Sequence, residues 1–230
     1  MDPGAAQFAR LEHFAKVVGG DPAAVRLDEA ALAMAAVLRA RSTDAAAAVL
    51  DELAAGCSDR TLEGLRHHLY DELGFAGDAA QYDEPRNSFL DVVLARRRGL
   101  PILLATVVIE VGRRTGVPCV GIGMPMHFLV RAADDEDAFV DPFSGEALDR
   151  LGARRRFEVL SEGRLPWDDR HLAPTPARLI VLRMLTNLRA SYERRADRVG
   201  LALVARMRAA IPELGAGASA EAVRLGAVFN

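Results

Sequence analysis

Between Gly99 and Gly116 the chain carries a stretch that is apolar on nearly every side, with Ile102, Leu103, Leu104, Val107, Val108, Ile109 and Val111. Pro101 opens it. Proline is tolerated at a first helical position because its missing N–H would find no partner there anyway. Arg113 and Arg114 close it, where positive charge favours a helix C-terminus, and Gly116 and Pro118 stop it. A helix of this kind is buried on most sides, so the rest of the chain has to wrap around it. Its longest apolar run, 100–109, is about half the roughly 20 residues needed to span a bilayer, so it reads as a protein core and not as a membrane segment.

The flanking sequence supplies two kinds of wrapping. Residues 27–40 place Leu27, Ala31, Met34, Val37 and Leu38 at helical intervals, with Asp28 as N-cap. Residues 42–55 and 61–73 read as two further helices ended by Gly56 and Gly74. After a polar, turn-like stretch at 77–86, Asn87 is expected to cap a helix running through Arg98. Beyond Pro118 the pattern changes. Residues 118–124, 126–132 and 138–141 are short, apolar and bounded by turn residues, which predicts strands. Asp134, Asp135, Glu136 and Asp137 then form a solvated hairpin tip. A hairpin centred near Asp134 sets His127 opposite Asp141, in a register that a one-residue slip would spoil. Residues 151–176, basic and then rich in proline, read as a linker, and 177–195 with 198–210 as a helical pair. The expected organisation is an α+β chain with an N-terminal segment (1–26), a core domain (27–150), a linker (151–176) and a helical appendage (177–230) whose last stretch, 215–230, frays.

Half of the 230 residues are hydrophobic, enough for a sizeable core. The net charge of -3 disfavours a phosphate-backbone binder, so no nucleic acid is expected. Cys57 and Cys119 are too few and too far apart for a disulfide framework or a zinc site. Residues 1–10 lack a basic-then-apolar signal pattern. The expected compartment is therefore the cytoplasm, with both thiols reduced.

The candidate chemistry centres on His127. An imidazole at the mouth of an apolar strand can act as a general base, and a facing carboxylate, Asp141, can fix its tautomer. From residue types alone, a core histidine and a turn aspartate before Pro142 are the commoner explanation. His67 and His68 read as surface residues. A metal site joining His127, Asp141 and His171 would need a ligand from a remote loop, and neither metal nor cofactor is expected.

Longer motifs add to this. Tyr82-Asp83-Glu84-Pro85-Arg86-Asn87-Ser88-Phe89-Leu90 is followed by Arg96-Arg97-Arg98-Gly99-Leu100-Pro101-Ile102, then Glu110-Val111-Gly112-Arg113-Arg114, Pro125-Met126-His127-Phe128-Leu129-Val130-Arg131, Asp141-Pro142-Phe143 and Met184-Leu185-Thr186-Asn187-Leu188. In this order they resemble the SirB-type transglutaminase-like family. The resemblance implies a papain-like core with an N-terminal helical layer, an antiparallel sheet and a short helical C-terminal appendage, a remnant of the tetratricopeptide-like helices the family often carries. In active relatives a Cys begins the central helix, where the helix N-terminus stabilises its thiolate, and a His and an Asp follow on adjacent strands. Mapped here, the nucleophile position falls on Pro101, which has no attacking atom, and the dyad on His127 and Asp141. Met126 stands where the family often has glycine. The resemblance thus implies a non-catalytic module that binds a protein, peptide or small ligand in the old cleft, with Arg86, Asn87 and Arg98 as candidate ligand contacts. The alternative is a hydrolase or acyl-transfer enzyme using His127 and Asp141 with water, or with Cys119 as a relocated thiol.

Overall fold

The computed structural model describes residues 3–40 and 43–214. The fraying expected for 215–230 and the expected helix start at Ser42 lie outside the described residues.

The apolar stretch forms helix α6, Pro101–Thr115, with Pro101 in its first turn and twelve of its residues buried. Gly116 ends it at φ 82, a left-handed conformation that costs glycine nothing. Around α6 pack α2 (Leu27–Arg39), α3 (Asp44–Gly56), α4 (Leu62–Arg66), α5 (Leu90–Arg96) and α8 (Ala177–Arg194), with α1 (Pro3–Gly19) and α9 (Arg198–Ala209) packed on α2 and, for α9, on α8. One apolar cluster takes in Phe14 and Val18 of α1, Met34 of α2, Leu103 and Val108 of α6, Leu185 of α8 and Met207 of α9. Residues 3–19 and 198–209 therefore share the main core with the central helix.

The expected strands are present in shortened form as β3 (Cys119–Ile122), β4 (Leu129–Ala132) and β5 (Phe139–Asp141), joined by β6 (Glu146–Leu148) in one antiparallel sheet of order β3-β4-β5-β6. A two-residue parallel pair, β1 (Ala76–Gly77) and β2 (Arg98–Gly99), stands apart. Successive side chains of a strand point to opposite faces. Val130 and Val140 accordingly join the core around α6, while Leu129 and Phe139 enter a second cluster with Ala153, Phe157 and Leu172.

That second cluster corrects the expected linker. Residues 150–161 form helix α7 (Arg150–Ser161), N-capped by Asp149 and anchored by Ala153 and Phe157 on the far face of the sheet. Other local expectations change as well. Arg26, not Asp28, occupies the N-cap of α2, and the N–H groups of Leu27 and Asp28 are received by Glu110 of α6, at 3.1 and 3.3 Å. Asn87 lies in a short 3-10 turn (Pro85–Ser88) and caps nothing, because α5 begins only after Phe89. After α4 the chain widens into a π-helical segment, His67–Glu72. His68 there is buried, with Nδ1 2.6 Å from Glu72 and Nε2 3.2 Å from the Leu53 carbonyl.

Candidate functional site

His127 is delivered by a tight turn. Its N–H donates to the Met124 carbonyl (3.1 Å), Pro125 takes the second position, and Met126 takes the third at φ 63. A positive φ at that place is the type II pattern, which favours glycine. Arg183 of α8 fastens the turn by donating to the carbonyls of Met124 (3.2 Å) and His127 (2.8 Å), with its guanidinium over the Phe128 ring. Burial pushes the Arg183 pKa down to about 10, against a raising influence from Tyr82.

The expected pair is formed. His127 Nε2 lies 2.8 Å from Asp141 Oδ2, with both residues buried. The register differs from the expected one, however. Val130 pairs with Val140 and Arg131 with Phe139, two residues away from a hairpin centred on Asp134. A shift of two preserves the face on which each side chain lies, whereas a shift of one would have reversed it. The contact therefore survives, with His127 placed just before β4 instead of within the ladder.

Asp141 has further partners. Its Oδ1 accepts from the N–H groups of Phe143 (2.9 Å) and Ser144 (3.4 Å), and its Oδ2 also receives Arg156 of α7. Burial works to raise its pKa, but the His127 hydrogen bond, the Phe143 N–H and the Arg156 charge together hold it below the usual carboxylate value. The loop behind it is fixed by Tyr70 of the π-helical segment, whose hydroxyl donates to the Pro142 carbonyl (3.0 Å). A Cβ on Gly77 would meet the Phe143 ring at 2.2 Å, so only glycine admits this loop.

His127 opens onto a cleft of about 260 Å³. Pro101 and Ile102 at the head of α6 form one wall, and Ser88, Asn187 and the rim residues Tyr82 and Met126 form others. Segment 78–88, which makes part of this wall, is tied down on both sides. Asp78 and Asn87 bind Arg96 (3.0 and 2.9 Å), Asp83 accepts from Arg194 (2.6 Å), and Ser191 donates to the Asp83 carbonyl (3.0 Å). Among the described residues, His127 Nδ1, the Ser88 hydroxyl and the Asn187 amide find no hydrogen-bond partner. Ser88 and Asn187 were not singled out from sequence, although both lie inside the motifs that carried the resemblance.

The other candidates lie elsewhere. Arg86 is exposed beside Glu84 (3.4 Å), buried Asn87 donates to the Gln81 carbonyl (2.7 Å), and Arg98 donates to the Gly74 carbonyl (2.5 Å). None of the three lines the cleft. Cys119 pairs with Ala132 at the end of the β3–β4 ladder opposite the His127 turn. Its thiol donates to the Val117 carbonyl, and burial, with a smaller push from Asp134, raises its pKa to about 12. Buried Cys57 is shifted upward too, chiefly by burial. His171 stacks against Phe157 and Trp167. Among the described residues, no three His, Cys, Asp or Glu side chains are grouped to hold a metal ion, and no helix is long and apolar enough to cross a membrane.

Comparison with known families decides the wider assignment. The family description "Transglutaminase-like superfamily" matches residues 26–186, from the start of α2 into α8. The chain belongs to the transglutaminase-like superfamily. A UPF0162 protein of Xylella fastidiosa (strain 9a5c) is 42% identical over 137 residues, covering 57% of this chain and 48% of the relative. A UPF0162 protein of Vibrio cholerae is 38% identical over 80 residues, 34% of this chain and 30% of its own. F-box only protein 21 of Mus musculus is 33% identical over 101 residues, 44% of this chain and 16% of its own. The chain thus spans about half the length of the first of these relatives and less of the others. No solved structure matches it. The transglutaminase-like match contains Pro101, His127, Asp141, Arg156 and Arg183 but stops short of Arg194 and α9.

Proposed function

We propose that this transglutaminase-like domain, of the SirB type, is a binding module without covalent catalysis that takes a protein, peptide or small ligand into the cleft beside His127. The observation that carries this reading is the pairing of an intact cleft with Pro101 at the helix head, where a nucleophile would have to stand. Around that position Leu100 and Ile102 are apolar, and the Thr106 hydroxyl is buried and donates to the Ile102 carbonyl (2.9 Å). The relocated-thiol alternative has little support, since Cys119 does not line the cleft and burial disfavours its thiolate. Ligand contacts fall to Ser88, His127 and Asn187, whose free polar atoms border the cleft, in preference to Arg86, Asn87 and Arg98.

Two measurements test this. Iodoacetamide labelling between pH 5.5 and 8.5, read residue by residue by mass spectrometry, should find both thiols slow below pH 7. Rapid labelling of Cys119 there would restore the thiol enzyme. Titration of the isotope-labelled chain with a mixed hexapeptide library should shift the backbone signals of Ser88, His127 and Asn187, and Asn187→Ala should abolish the response. A library that leaves those signals unmoved would remove the peptide-binding form of the proposal. The open Nδ1 of His127 also favours a second reading, hydrolysis by a water that this atom activates. Turnover of an activated ester that disappears in His127→Gln would put that reading first.

A further inference from the structure

We propose that the head of α6 is a carboxylate site, where the Ile102 N–H, the Ser88 hydroxyl and the Asn187 side-chain amide together hold the carboxylate of a peptide C-terminus or of a small organic acid. The inference rests on reading the cleft as a binding site, and it names the chemistry of what enters.

The first N–H groups of a helix point out past its start and have no partner within the helix. In α6 that start is Pro101, which has no N–H, so Ile102 carries the first donor. The next two, on Leu103 and Leu104, are both received by the Leu100 carbonyl at 3.1 Å. The Ile102 N–H finds no acceptor among the described residues. Pro101 and Ile102 both line the cleft, so this donor stands at its wall.

Ser88 is an independent observation. It is only 2% exposed, yet it lines the cleft with a hydroxyl that finds no hydrogen-bond partner among the described residues. A buried hydroxyl left open carries a cost that a ligand can remove. The chain itself brings Ser88 to the helix head, since the Leu100 N–H donates to the Asn87 carbonyl at 3.2 Å. Asn187 of α8 adds an open amide to the same cleft. A main-chain N–H can only donate, whereas a hydroxyl and an amide can do so as well. The group that all three share must therefore be an acceptor.

Charge decides between a neutral carbonyl and an ion. A helix start carries roughly half an elementary positive charge, and the Arg183 guanidinium, held on the Met124 and His127 carbonyls, belongs to the same lining. The acidic residues of the lining, Asp83 and Glu84, lie beside Arg194 (2.6 Å) and Arg86 (3.4 Å). Asp141, Arg156 and Glu146 stand behind His127 and outside the lining. A carboxylate offers about four acceptor positions on its two oxygens, enough for the three donors. Tyr82, Leu100 and Met126 give apolar surface to the rest of the ligand.

The test titrates the 15N-labelled full chain with two N-acetylated hexapeptide libraries lacking Asp and Glu, one ending in the free acid and one in the amide, and separately with butyrate. The acid library should move the Ile102 and Ser88 backbone signals at concentrations about tenfold or more below those the amide library needs, the effect of one hydrogen bond to a charged group. Ser88→Ala should weaken the acid library by a similar factor. Butyrate moving both signals while the libraries do not would also support the site, with a small acid as its ligand. Acid and amide libraries acting alike, or an undiminished acid response in folded Ser88→Ala, would overturn the proposal and leave the cleft a peptide site. Silence from all three probes would overturn it together with the peptide-binding form of the earlier reading. If Ser88→Ala does not fold, the comparison of acid with amide on the wild-type chain still decides.

Discussion

At the C-terminal end of α6, Glu110 receives the Leu27 and Asp28 N–H groups on one oxygen and Arg113 and Arg114 on the other, while Arg114 also reaches Asp28 (2.6 Å) and Asp51 (2.7 Å). At the N-terminal end, Pro101 faces a cleft in which His127 Nδ1, the Ser88 hydroxyl and the Asn187 amide find no hydrogen-bond partner among the described residues. Both ends bury polar groups, but only one closes its network. A closed network of buried charges holds one element against another, here α2 against α6. Unpaired polar atoms around a cavity leave hydrogen-bonding capacity that a ligand can complete. The difference between the two ends therefore separates what holds the fold from what is available for function.

The largest effect that would break this comparison is expected from Glu110→Ala. It strands two buried helix-start N–H groups and takes one carboxylate partner from Arg114 and from the exposed Arg113, and should cost about 2–4 kcal/mol in urea unfolding. A loss below about 1 kcal/mol, the range of a surface ion pair, would mean that the cluster does not hold the fold.

Acid should act next. At Asp28, burial tends to raise the pKa, but bonds from Arg114 and Arg26 lower it overall, and Asp141 is likewise lowered against its burial. A carboxylate with a depressed native pKa contributes stability that is present above its unfolded value, near about 3.9, and is lost as pH falls through the folded value. Melting temperature should thus drop steeply only below about pH 4, and Asp28→Asn should flatten that drop. An unchanged profile in Asp28→Asn would remove the closed end from the acid response.

Pro101→Cys sharpens the other end. A thiol at the head of α6 should titrate below the ordinary value of about 8.5, seen in the pH dependence of its alkylation. Ordinary titration would show that the helix head does not stabilise an anion beside His127.

The smallest effect is expected at the cleft rim. Met126→Gly relieves a left-handed backbone, a strain of roughly 1–2 kcal/mol, and adds unfolded-chain freedom in return. The net gain should be about 0.5–1 kcal/mol in thermal unfolding. A net loss would mean that the Met126 side chain packs more than its 38% exposure suggests.

How much of this was legible before the structure depends on whether a signal was local. The helix start at Pro101, its stop at Gly116 and the approximate place of three strands follow from nearest-neighbour chemistry, and the structure has them. Helix α7 was missed because Arg154, Arg155 and Arg156 and the later prolines mask its apolar stripe. Only Ala153, Phe157 and Ser161, spaced at four, betray it. Helix α1 was missed too, although Leu11, Phe14 and Val18 stand at helical spacing, with Phe14 and Val18 fully buried. The hairpin register was two residues off because the tip is shaped by Arg131, which donates to the carbonyls of Ala132, Ala133 and Asp135 and shifts the turn. His68 was read as exposed because its partner, the Leu53 carbonyl, belongs to a different helix.

The sequence by itself determined that α6 must be buried, where it begins and ends, that its head carries no nucleophile, and that His127 and Asp141 lie on one face of a hairpin. These depend on periodicity, on the missing N–H of proline and on the two-residue pleat, all of which act over a few residues. Only the tertiary structure decided which buried charge meets which. Glu110 reaches the start of α2 across 83 residues, and Arg156 meets Asp141 only because α7 covers the face of the sheet to which Asp141 points. Coulomb energy depends on separation in space and on exclusion of water, and spacing along the chain reports neither.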